Sequence, residues 1–106
     1  MRILYQSYVD YEHGKVYWDK LKPFLEASAL PDTDITIEGI TPHDSFAHAL
    51  VEMRCAREMI CNVIQAERDG YDAVIVGHFQ DAGLYEARST VDIPVIGLGE
   101  SSMLYC

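Results

Sequence analysis

Ala73-Val74-Ile75-Val76 constrains the fold more than any other stretch of this chain: four successive apolar residues follow Asp72 and stop at Gly77-His78. A strand wetted on one face would alternate apolar and polar residues. A run apolar on both faces therefore reads as a central strand of a parallel sheet, covered by helices above and below. A polar crest, His78-Phe79-Gln80-Asp81, follows at its carboxyl end. From Asp81 onward, the spacing of Leu84, Tyr85 and Ala87 predicts a short helix with Asp81 as its N-cap and Gly83 in its first turn. Ligands collect at such crests in open α/β sheets, because helix N-termini there present unpaired backbone N–H groups to an anion.

The rest of the chain alternates in the same way. Ile3-Leu4-Tyr5 opens a strand that places Gln6, Ser7 and Tyr8 at its carboxyl end, and Val9 to Gly14 reads as a polar surface loop. Apolar residues at Tyr17/Trp18, Leu21, Phe24/Leu25 and Ala29 recur at helical intervals, so Lys15 to Leu30 is expected to be amphipathic, with Tyr17 and Trp18 in the core. Pro23 inside it removes a backbone donor and predicts a kink or a helix in two pieces. Asp34 to Ile40 alternates as a second strand. Phe46, Ala49/Leu50, Met53, Ala56, Ile60 and Val63/Ile64 then form one stripe on a helix of about 25 residues, ended by a left-handed Gly70. Met53 and Met59 are expected in the core, as are Cys55 and Cys61, which lie about 120° apart around the helix and cannot share a ligand. Val91 to Leu98 is a fourth strand, followed by a helix of about seven residues from Glu100, capped by Ser101 or Ser102.

Strands alternating with helices imply right-handed crossovers. The expected fold is therefore a three-layer α/β/α domain over residues 1–106, with a four-stranded parallel sheet in the order 2-1-3-4, half of a flavodoxin-like fold. Strand four would then be an edge carrying Val95 and Ile96, which a soluble protein covers; a homodimer is one way to do so.

Net charge excludes whole classes of partner. At a formal −9, the far field repels phosphates, which argues against nucleic acid and against an anionic membrane. An anionic substrate would depend on local N–H groups. Three cysteines, Cys55, Cys61 and Cys106, form neither a CxxC nor a metal spacing, and with no basic leader or membrane-length apolar run the expectation is a cytoplasmic protein. His43 and His48 have no ligand-spaced partners, so no metal is expected. A phospho-acceptor receiver domain fits the length but not the residues, since strand three ends in Gly77-His78 where an aspartate is required.

The segment AERDGYDAVIVGHFQDAGLYEARSTVDIPVIGLGESSM, residues Ala66 to Met103, resembles the aspartate/glutamate/hydantoin racemase superfamily, in particular its hydantoin-racemase-like branch. The carrying pattern is A-E-x-x-G-Y-D-A, a strand, F-x-D-x-G-L-x-x-A-R and I-P-V-x-G-x-x-E. The resemblance implies two α/β lobes facing one another, no cofactor, and one cysteine from each lobe flanking the substrate α-carbon. Two departures follow. His78 stands at the first-lobe cysteine position, and the chain corresponds to an N-terminal lobe with the second lobe absent.

By this resemblance the expected reaction is proton transfer at the carbon next to a carbonyl, in a small carboxylate or hydantoin-type compound. His78 is the expected acid/base, an imidazole kept in its neutral, proton-accepting form by the positive end of a helix. Phe79, Gln80 and Asp81 would offer backbone N–H groups to the substrate, as the family's corresponding turn does. Gln6 and Ser7 occupy the place where the family contacts substrate. Glu100 matches the family's acidic residue after strand four, and taken alone reads as a charge stabilised at a helix N-terminus. Two other functions remain open at this point: a non-catalytic binding module or inactive truncated lobe, and a decarboxylase of the same superfamily, whose arylmalonate members also lack the first-lobe cysteine.

Overall fold

Strand β3 (Ala73–Gly77) forms where the apolar run predicts it, and β1 (Arg2–Ser7) pairs beside it. A computed structural model describes residues 1–44 and 49–105. The expected start of the second long helix at Phe46, together with Ser45, His48 and Cys106, lies outside the described residues. Between and after those strands run α1 (Lys15–Ser28), β2 (Asp34–Glu38), α2 (Ala49–Arg68), α3 (Leu84–Arg88), β4 (Val95–Gly97) and α4 (Leu98–Tyr105). The sheet is parallel throughout, in the order β2-β1-β3-β4. Ile3 lies between Ile35 and Ala73, and Gln6 between Glu38 and Val76.

Alternation along β1 sorts the helices into two layers. Leu4 joins the core with Val74, Val76, Val95 and the α2 residues Cys55, Met59, Val63 and Ala66. Tyr5 points the other way, and its hydroxyl meets that of Tyr17 on α1 at 3.1 Å. Helix α2 thus covers one face of the sheet and α1 the other. All strands end at one edge, which collects the loops after β1, β2 and β3. Gly70 takes the left-handed conformation expected of it, at φ 87°.

Several local expectations are corrected. Helix α1 runs unbroken through Pro23 rather than in two pieces. It buries no residue: Trp18, Leu21 and Leu25 are half-buried, while Tyr17 and Phe24 stand exposed, because α1 packs chiefly over the edge strand β2 and overhangs it. Met59 is fully buried but Met53 is 71% exposed, and Cys55 is buried while Cys61 is not. The buried face of α2 is centred on Cys55, Met59 and Val63, so positions 53 and 61 turn outward.

The largest correction concerns the crest. Helix α3 starts at Leu84, preceded by Gly83 in the left-handed region, and Asp81 does not cap it. Asp81 itself has φ 51° and sends its carboxylate across to α4, where Oδ1 accepts the Gly99 N–H at 3.0 Å and Oδ2 the Glu100 N–H at 2.6 Å. Those bonds, not Ser101 or Ser102, cap α4. A Cβ on Gly97 would come within 2.7 Å of that carboxylate, and one on Gly99 within 2.1 Å of the Phe79 carbonyl oxygen. Glycine at both positions lets β4 and α4 approach the crest this closely.

Candidate active site

His78 leaves the end of β3 with both ring nitrogens engaged. Nδ1 accepts the Gln80 N–H at 3.2 Å, and Nε2 lies 3.1 Å from Asp44 Oδ2 and 3.8 Å from Glu52 Oε1. A nitrogen that accepts from an amide carries no proton. The neutral ring therefore holds its proton on Nε2 and donates it to Asp44, in the manner of a carboxylate that orients a histidine. The Tyr8 ring packs against the imidazole, centroids 4.5 Å apart, and its hydroxyl donates to the Ala82 carbonyl. Burial pushes the Tyr8 phenol above its ordinary range, so Tyr8 serves as a neutral wall.

Asp44 is the residue that sequence reasoning missed. It sits in the loop after β2, its side chain 6% exposed, and its Oδ1 is buried with no hydrogen-bond partner among the described residues. Leaving such a group unpaired costs on the order of 1–3 kcal/mol, which marks it as a place for a ligand donor. Sequence offered one signal: Asp44 follows the second strand, and in a parallel sheet every strand delivers its carboxyl end to the same edge. Glu52, in the first turn of α2, carried no such signal.

A cavity of about 290 Å³ opens beside this cluster, walled by Ser7, Tyr8, Val9, Tyr17, Asp44, Gly77, His78, Phe79 and Gln80. Among the described residues no lysine or arginine lines it. A larger hollow of about 830 Å³ lies along the outward face of α1, with Glu12 and His13 at its rim, away from His78.

The other expected site residues divide. Ser7 forms part of the cavity wall, but its hydroxyl is spent on Val9, donating to the carbonyl at 2.9 Å and accepting the N–H at 3.1 Å. Gln6 is fully buried on the α2 face: its Nε2 donates to the carbonyls of Ser7, Glu38 and Gly39, and its Oε1 accepts from Asn62. Its amide ties β1 to β2 and α2, where a substrate-binding role was expected of it. Of the three N–H groups expected to hold a substrate, those of Gln80 and Asp81 are engaged within the turn, by His78 Nδ1 and by the His78 carbonyl at 2.9 Å. Phe79 is 62% exposed at the cavity mouth. Glu100 is outside the cavity's lining and pairs with Arg88 through both carboxylate oxygens. Hydrogen bonding to Arg88 holds the Glu100 carboxyl below the usual carboxylate range.

Among the described residues no cysteine takes part. Cys55 is buried beneath the crest, and burial pushes its thiol up. The expectation that His43 lacks partners is overturned in space: Asp10, His13 and His43 bring ligand atoms within 4.8 Å of one another, as do Asp44, Glu52 and His78.

A family model described as Asp/Glu/Hydantoin racemase matches residues 15–106. Among solved structures, an allantoin racemase from Klebsiella pneumoniae superposes with a TM-score of 0.81 at 22% sequence identity, over 98% of this chain and 42% of that one. The chain thus spans less than half the length of that racemase, and at this identity the likeness concerns the fold. No curated protein matches the chain. Among the described residues no helix is long and apolar enough to cross a membrane.

Proposed function

The chain belongs to the Asp/Glu/hydantoin racemase family, and from that premise we propose that it moves a proton at the carbon next to a carbonyl in a small, neutral hydantoin-type compound, with His78 as the acid/base on one face and no cofactor. The observation that carries this reading is the Asp44–His78 pair at 3.1 Å beside the cavity, with the Asp44 Oδ1 unpaired. Nδ1 is the working nitrogen. The Gln80 N–H that holds it at 3.2 Å is a long bond on an exposed residue, and gives way when a substrate C–H approaches. As Nδ1 takes the proton, Asp44 and Glu52 stabilise the imidazolium through Nε2, much as the aspartate of a hydrolase triad does.

Electrostatics favours the hydantoin over a free carboxylate. Among the described residues the wall offers a buried aspartate and neither lysine nor arginine, so an anion would meet repulsion. A neutral cyclic ureide instead brings N–H donors, and one of them satisfies Asp44 Oδ1. Racemisation also requires a group on the opposite face; in this proposal a second copy of the lobe, set crest to crest, supplies it. One lobe alone would exchange the proton without inverting the centre.

Deuterium wash-in at the α-carbon in D2O, followed by NMR across hydantoins and free amino acids, tests the proposal. Hydantoins should exchange, His78→Gln should abolish exchange, and Asp44→Asn should slow it about 10–100-fold while the protein stays folded. Absence of exchange across the whole panel would return the chain to the class of non-catalytic binding modules.

A further inference from the structure

We infer that Asp10, His13 and His43 form a binding site for a borderline divalent metal ion of the zinc, cobalt or nickel type. The cluster is separate from that of Asp44, Glu52 and His78, although His43 adjoins Asp44 in the chain, and it takes no part in the reaction proposed above. Neighbouring strands create it: Asp10 and His13 lie on the loop after β1, His43 on the loop after β2, and β1 pairs directly with β2.

One carboxylate faces both imidazoles. Asp10 Oδ1 lies 2.7 Å from His13 Nδ1, and Oδ2 lies 4.0 Å from His43 Nδ1. The rings stack with centroids 4.0 Å apart and planes 21° from parallel. Bonds of about 2.1 Å to a tetrahedral ion set ligand atoms roughly 3.4 Å apart, so the widest separation in the cluster, within 4.8 Å, closes by at most about 1.4 Å while the Asp10–His13 contact at 2.7 Å opens slightly. Stacked rings cannot both hold an ion in plane, so one ring must swing. His13, with 52% of its side chain exposed, is free to do so, whereas Asp10 is anchored by the His13 N–H at 2.9 Å. Binding through Nδ1 requires the proton now shared with Asp10 to leave that nitrogen, so the neutral ring carries its single proton on Nε2 instead. Two imidazoles and one carboxylate suit a borderline ion; calcium and magnesium prefer all-oxygen sites.

The second cluster, Asp44 with Glu52 and His78, does not qualify on the same chemistry. An ion on His78 Nε2 would force the proton onto Nδ1, where it would confront the Gln80 N–H.

Titration of the chelator-treated chain with Zn2+ by calorimetry, and with Co2+ by visible absorption, tests the inference. We expect one equivalent bound, with affinity falling at least 30-fold in His13→Ala and again in His43→Ala, while Cys61→Ser, which removes an exposed thiol, leaves it unchanged. Circular dichroism confirms that the variants fold. The inference is overturned by no saturable binding, by binding that survives the double histidine variant, or by binding lost with Cys61→Ser.

Discussion

Asp81 shows how one residue can serve an element distant in sequence. Its carboxylate accepts two N–H groups at the start of α4, so Asp81→Ala should cost about 1–2 kcal/mol in urea unfolding, and Asp81→Asn less, since the amide oxygen can still accept one bond. Sequence made Asp81 a cap for the helix that follows it, which is the natural local reading. A positive φ at Asp81, invisible in the sequence of a non-glycine residue, redirects the carboxylate. His78 was legible because it ends the one unmistakable strand. Asp44 was not, because 34 residues separate it from the imidazole it holds. Gln6 sits on the face shared with Leu4, and the period of two that places Leu4 in the core also withdraws Gln6 from the cavity.

At the scale of elements, the two long helices should behave differently. Met59 is packed among Cys55, Val63 and the strands, so Met59→Ala should cost about 2–5 kcal/mol, while Met53→Ala should fall within about 0.5 kcal/mol of the parent by the same urea measurement. Amides of α1, a helix with no buried residue, should exchange with solvent well before those of α2. The strand order was readable from alternation alone, since parallel strands joined by helices leave few topologies. Which way each stripe faced was less readable. On α2 the apolar residues spread wider than the face that is buried, and two cysteines gave no hint of which belonged to it. On α1 the stripe was real, but nothing in its periodicity reveals how little sheet lies beneath it.

For the whole molecule, acid should act through carboxylates stabilised in the fold. Hydrogen bonds from His13 hold the Asp10 carboxyl below its usual range, and Arg88 does the same for Glu100. A depressed folded value means stability that is present above the ordinary carboxylate range and lost as pH falls through the lowered one. The urea midpoint should therefore decline on acidification, and less steeply in an Asp10→Asn, Arg88→Gln double variant. Light scattering should show mass rising with concentration, because Ile96 on the edge strand and Met103, Leu104 and Tyr105 on α4 are each exposed; a constant monomer mass would remove the crest-to-crest pairing. The interior position of β1 carries a final consequence. It is made before its partner on one side, β3, which begins at Ala73, after α2. During synthesis on the ribosome, one edge of the nascent strand and the apolar stripe of α2 wait uncovered until that partner emerges. That interval is when a chaperone would find the most to hold.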